Sequence, residues 1–182
     1  MTCSTHLGIR TEDLDTSPEG TIETIFRYYN SFSRLEAVLN CLDYLDHDDW
    51  RKVLGECWDS CDNIRDHFHV LRRLLGRRGP VLQMMISAEV EAYWSLPDLV
   101  TVYRGCDRSV LTGASWSLDR SVAEGFPFIP RYRALDPVLV TATVPRHRIL
   151  AIKLGREEEE IITFNARRRK VENAISPFRA VN

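Results

Sequence analysis

Long apolar runs are missing from this sequence. No stretch approaches the roughly 20 residues that a helical membrane span needs. Residues 1–20 are rich in Thr, Ser, Asp and Glu and contain no apolar stretch of the signal-peptide kind. A cytoplasmic protein with no membrane partner is expected. An excess of one charge is missing too: 24 basic residues stand against 26 acidic ones, a formal net charge of -2. That balance argues against a protein whose whole surface binds nucleic acid. The glycine-rich phosphate cradles GxxxxGK[ST] and GxGxxG are absent, and so is HExxH. Histidine is scarce after the midpoint, where His147 stands alone, which counts against His-based nucleophilic triads. Cysteine occurs five times, at Cys3, Cys41, Cys57, Cys61 and Cys106. An odd count without a secretion signal favours free thiols. Cys57 and Cys61, followed by His67 and His69, raise the question of zinc, but their spacing fits no common ligand pattern. Trp50, Val53, Leu54, Cys57, Trp58 and Cys61 instead trace one apolar helix face, so both cysteines read as small core residues and no metal is expected.

What is present suits one globular domain: 182 residues, 44% hydrophobic and 27% charged. Residues 1–20 read as a flexible leader ending in the turn chemistry Ser17-Pro18-Glu19-Gly20, and 21–182 as the domain. Thr21 and Ile22 can open a helix in 21–30. Leu35, Val38, Leu39, Leu42 and Leu45 predict a helix over 33–45 with Ser33 as its cap. His47-Asp48-Asp49 offers a new cap for a helix over 50–61, and Ile64, Phe68, Leu71 and Leu75 carry a third stripe to Gly76. Pro80 is expected in the first turn of a further helix. Gly76-Arg77-Arg78-Gly79 is a basic GxxG loop between helices. Without flanking strands it reads as an exposed turn rather than a clamp for a nucleic-acid backbone.

The pattern changes near Pro97. Strands are expected over 99–103, 138–144, 149–154 and 159–164, then a turn at Asn165-Ala166 into a last strand over 168–174. Ser117 or Asp119 can cap a short helix through Val122, Ala123 and Phe126. A helical part, 21–96, thus precedes a β-rich part, 97–182. This order indicates an α+β fold with a mainly antiparallel sheet. Arg167-Arg168-Arg169-Lys170 reads as a solvated edge strand in preference to a nucleic-acid patch.

Three short pieces could carry chemistry. Arg104, ending a strand in Val102-Tyr103-Arg104-Gly105, can hold a phosphate or carboxylate bidentately; a structural salt bridge is its plainer use. Ser115 and Ser117, in Gly113-Ala114-Ser115-Trp116-Ser117-Leu118-Asp119, are expected on opposite faces of an extended segment and so can divide their tasks. One meets a ligand and the other makes local hydrogen bonds, or both simply cap the next helix. The run Glu157-Glu158-Glu159-Glu160 leads into Ile161-Ile162. If Glu158 and Glu160 share a strand face, their repulsion raises one pKa, and the pair suits chemistry through an oxocarbenium ion. Glu157 and Glu159 form an equally spaced alternative, against which only the adjacency of Glu160 to Ile161 decides.

In this order the three pieces resemble the R-S-E class of mono-ADP-ribosyltransferases, the group of the arginine-modifying, cholera-toxin-like toxins and the small phage and bacterial enzymes. The likeness covers residues 99–175. It implies an ADP-ribosyltransferase-like fold, with the helical segment packed on a split β core, and NAD as substrate without a metal. It implies transfer of ADP-ribose to a protein, through an arginine, in a bacterial or host cytoplasm. Arg104 would bind the NAD phosphate, with Tyr103, Gly105, Ser115, Trp116, Ser117 and Phe126 around the dinucleotide. Ser115 would position the catalytic glutamate, Glu160 would stabilise the oxocarbenium ion, and Glu158 would activate the acceptor. Residues 153–157 would form the acceptor loop. That loop has Leu154-Gly155-Arg156 and lacks the aromatic residue that many members carry there. The rivals are an NAD glycohydrolase on the same fold and a non-catalytic module that binds protein or nucleic acid.

Overall fold

A computed structural model describes residues 17–76, 79–155 and 159–176. They fall into two compact units, Met1–His67 and Phe68–Asn182. The first is helical: α1 (Pro18–Tyr28), α2 (Arg34–Asn40) and α3 (His47–Cys57), with single 3-10 turns at Cys41–Asp43 and Trp58–Ser60. The Ser17-Pro18 turn chemistry proves to be a helix start. Ser17 Oγ accepts the Gly20 N–H at 3.1 Å, and Pro18 takes the first turn, where no N–H is needed. The cap of α3 is Asp46, whose carboxylate accepts the N–H groups of Asp48 and Asp49, both at 2.9 Å. The helix expected over 33–45 stops earlier, at Asn40, and the 3-10 turn carries the chain on. Leu35, Val38, Trp50, Val53, Leu54, Cys57 and Trp58 are all buried, as the periodicity requires. Trp50 Nε1 donates to the Val38 carbonyl at 2.8 Å, which satisfies the one polar atom of that ring. Burial pushes the Cys57 and Cys61 thiols up to about 12, so both stay protonated inside the core.

The second unit contains α4 (Phe68–Leu75), α5 (Ser87–Ser95) and α6 (Arg120–Gly125). It also contains strands β1 (Leu99–Asp107), β2 (Ser115–Ser117), β3 (Pro137–Pro145), β4 (Ala151–Lys153), β5 (Glu160–Ile162) and β6 (Arg167–Asn173). All pairings are antiparallel and give one six-stranded sheet in the order β4-β5-β2-β1-β3-β6. The fold is therefore α+β. Its three short strands join its three longer ones through a single residue pair, Tyr103 opposite Ser117.

Two local expectations are corrected. Pro80 does not start a helix: a 3-10 turn at Leu82–Met84 intervenes, and α5 begins at Ser87, where the Glu89 carboxylate accepts the Ile86 N–H at 3.0 Å. Nor do β5 and β6 form a hairpin. Asn165-Ala166 does not reverse the chain: four successive antiparallel pairings leave β5 and β6 running in the same direction, and β6 crosses the sheet to pair with β3. The Asn-Ala pair marks a break between strands, not a reversal. The exposed run 167–170 does lie on an edge strand, and Arg169 is the extra residue of a bulge between the pairs Thr141–Lys170 and Ala142–Arg168.

Alternation along the strands builds the core. Val100, Val102, Val138, Val140, Ala142, Val144, Trp116, Ile152 and Ile161 pack with Tyr93 and Leu96 from the end of α5. The helix α6 approaches β1 so closely at Gly105 that a Cβ there would lie 1.8 Å from the Ala123 carbonyl oxygen. Only glycine fits.

Candidate functional site

Directly opposed residues in an antiparallel ladder share a face, with neighbouring strands about 4.8 Å apart. The register therefore sets a row across four strands: Tyr103 on β1, Ser117 on β2, Glu160 on β5 and Lys153 on β4. The hydrogen bonds Leu118 N to Glu159 O (3.0 Å) and Thr163 N to Ala114 O (2.8 Å) extend the β2–β5 pairing beyond its ends. Glu160 is half-buried and begins β5, while Glu159 is exposed and outside the strand. Of the glutamate run, then, Glu160 stands opposite a motif serine. Glu157 and Glu158 lie outside the described residues.

Arg104 follows Tyr103 and so points to the other face, the face of Val102 and Cys106. Its long side chain brings the guanidinium to the seam between β1 and β2. Nη1 donates to the Ser115 carbonyl at 2.7 Å. The guanidinium lies where a side chain at position 113 would begin: a Cβ on Gly113 would be 2.4 Å from Arg104 Cζ. Gly113 thus leaves the space that the arginine fills.

Ser115 and Ser117 are two residues apart on a strand and share a face, so their division of tasks does not come from opposite faces. It comes from local bonding. Ser117 Oγ accepts the Asp119 N–H at 3.0 Å, whereas among the described residues Ser115 Oγ has no hydrogen-bond partner. Asp119 caps α6: its carboxylate accepts the Ser121 hydroxyl and N–H, both at 2.6 Å, and the Val122 N–H at 3.3 Å. The Ser121 hydroxyl, then the backbone N–H groups, hold that carboxyl below the usual range. Trp116 belongs to the core, with its indole N–H donating to the Gly113 carbonyl at 3.1 Å. Phe126 is half-buried and stacks on Tyr132, with ring centroids 5.7 Å apart.

Two further residues of this region are Glu89, which belongs to no motif, and Lys153, expected to open the acceptor loop but instead the last residue of β4. Residues 156 and 157 of that loop lie outside the described residues. Lys153, opposite Glu160, is buried, and its ammonium group meets the Glu89 carboxylate at 2.9 Å and the Met84 carbonyl at 3.2 Å. The other Glu89 oxygen accepts the Leu154 N–H at 3.2 Å. The pair therefore anchors the chain where it leaves β4 toward β5. The acidic residue in the first turn of α5 is visible in sequence as a helix-start signal; its partner is not.

The arrangement offers a guanidinium held at a seam, a hydroxyl on the neighbouring strand and a carboxylate on the strand beyond. The serine and the glutamate share one face of the sheet, and the arginine stems from the other and reaches only the seam beside them. A guanidinium can hold a phosphate, and a carboxylate can offset positive charge developing at a carbon centre. Among the described residues no three His, Cys, Asp or Glu side chains are grouped to hold a metal ion. No helix among them is long and apolar enough to cross a membrane. In comparisons with known proteins the chain matches no family model, no curated protein and no solved structure.

Proposed function

We propose that this chain is a mono-ADP-ribosyltransferase of the R-S-E class, moving ADP-ribose from NAD to an arginine of a protein and releasing nicotinamide. One observation supports the reading: Arg104, the Ser115–Ser117 segment and Glu160 lie on β1, β2 and β5, three strands that neighbour one another in the sheet although β3 and β4 separate β5 from β2 in sequence. Arg104 would hold an NAD phosphate, with its orientation set by the Ser115 carbonyl. The Ser115 hydroxyl would bond near the nicotinamide ribose and help to place Glu160. The Glu160 carboxylate would hold a ribose hydroxyl and offset the charge that develops at the ribose carbon. There the carbon–nitrogen bond breaks and its electron pair leaves with nicotinamide. An acceptor guanidinium nitrogen then bonds to that carbon and loses its proton to Glu158. The six-stranded α+β sheet is compatible with an ADP-ribosyltransferase-like fold, in which β4 leads into the acceptor loop.

Nicotinamide release by the purified protein tests the reading. Glu160→Gln should lower the rate by about 100-fold or more without a large change in melting temperature, the usual scale for losing one charge stabiliser. Glu159→Gln should stay near wild type. Equal loss in both variants, or loss in Glu159→Gln alone, would count against the role of Glu160.

A further inference from the structure

The near-zero net charge hides a segregation. The unit ending at His67 has 14 acidic and 6 basic residues, and the one starting at Phe68 has 12 acidic and 18 basic. Within the second unit three stretches have no Asp or Glu at all: 68–88, 137–156 and 161–171. The fold brings them together. Phe68 of α4 packs on Phe164 (ring centroids 5.2 Å), and the Gly76 carbonyl just past α4 accepts the Asn165 amide N–H at 3.5 Å. A 3-10 turn, Arg146–Arg148, follows β3. The Arg148 carbonyl accepts the Thr163 hydroxyl at 2.9 Å, and the pairing of Thr143 with Arg167 sets the start of β6 at the same end of the sheet. The last turn of α4, the 3-10 turn and the start of β6 thus converge on residues 163–167.

Arg72, Arg73, Arg148, Arg167 and Arg168 are all exposed there, and among the described residues none of them is in an ion pair. Arg108 and Arg120, elsewhere in the unit, and Arg146, the first residue of the 3-10 turn, are each paired with a carboxylate. Protection of an edge strand accounts for charge on β6 alone and not for Arg72 and Arg73 of α4 or Arg148 of the 3-10 turn. No large exposed apolar side chain belongs to 68–76, 146–148 or 163–171. The surface therefore lacks the apolar centre of a protein interface and the apolar face of a membrane-surface helix. What remains is a spread of guanidinium groups, each able to grip a phosphate bidentately, over a surface rather than in one pocket. That matches a linear chain of repeating phosphates.

We infer that this face binds the phosphate backbone of a nucleic acid, without reading its sequence. The interaction is separate from ADP-ribose transfer. The test uses the full chain with fluorescent 20-nucleotide single-stranded RNA, and with duplex DNA of equal length, by anisotropy from 50 to 300 mM salt. Binding should weaken steeply with salt. Replacing Arg72, Arg73, Arg167 and Arg168 by Gln together should cost at least tenfold in affinity at 100 mM salt. It should also flatten the log–log salt slope by about 3 to 4 while leaving the circular dichroism spectrum unchanged. Arg27→Gln, on the first unit, should change neither. The stronger of the two arms names the nucleic acid. No binding at 50 mM salt, or binding that the fourfold variant retains, would overturn the inference. So would tighter binding to polyglutamate or to phosphatidylserine vesicles.

Discussion

Gly105 and Gly113 look alike in sequence, yet they guard different things. A methyl group on Gly105 meets the backbone of α6, which cannot step aside without the helix. Gly105→Ala should destabilise the protein by about 1–3 kcal/mol, the usual cost of overpacking, in urea denaturation. A methyl group on Gly113 meets the far end of the Arg104 side chain, which can move. Gly113→Ala should therefore change stability little but raise the KM for NAD by about tenfold or more in a nicotinamide-release assay, because the guanidinium is displaced. Equal stability loss in both variants would contradict this distinction. A third residue sets an acid limit. The Asp107 carboxylate accepts N–H groups of Asp136, Ser109 and Leu135 and the Ser109 hydroxyl, and these hold it well below the usual range. A folded-state pKa below the unfolded value of about 3.9 means that the contribution is present above that pH. It is lost as pH falls from there through the folded value. The melting temperature should fall as pH drops below about 4, and less steeply in Asp107→Asn. Sequence showed which residue types could do chemistry. The spaces around them, set by side chains from distant positions, were not legible.

Helices and strands were legible wherever periodicity and caps agreed. The alternation of β3 from Val138 to Val144 and the stripe from Trp50 to Trp58 both appear as buried faces. Boundaries slipped where a capping side chain competed with a neighbour of the same kind, as Asp46 did with Asp48 and Asp49. The partnership of elements was the least legible. Lys153 sits in an apolar strand with no sign in the sequence that α5, more than sixty residues earlier, supplies its counter-charge. Both side chains are almost fully enclosed, so removing one leaves a buried charge alone. Glu89→Ala should cost about 3–5 kcal/mol, while the Glu89→Met, Lys153→Met double variant should cost much less. Chemical denaturation of the single and double variants checks this. A double variant as unstable as the single would mean that the ion pair is not the unit that matters.

For the whole molecule, helices before strands announced an α+β fold, and the six-stranded antiparallel sheet agrees. The strand order was beyond reach of the sequence: the crossing of β6 to β3 depends on which edges are open once β1, β2 and β5 have paired. It is this order that puts the arginine, serine and glutamate motifs on adjacent strands. The same folding gathers acid-free segments into one basic face, which whole-chain charge concealed.

Transfer of ADP-ribose to protein is the central claim. Its most direct test is incubation of the purified chain with NAD labelled in the adenylate part and a bacterial lysate, in parallel with Glu160→Gln. Label should appear on a discrete protein band with the wild type, be absent with the variant, and be removable by a hydrolase specific for ADP-ribosyl-arginine. Release of nicotinamide without labelled protein would favour the NAD glycohydrolase reading. Neither labelled protein nor nicotinamide release, together with no rise in melting temperature on adding NAD, would contradict the claim outright.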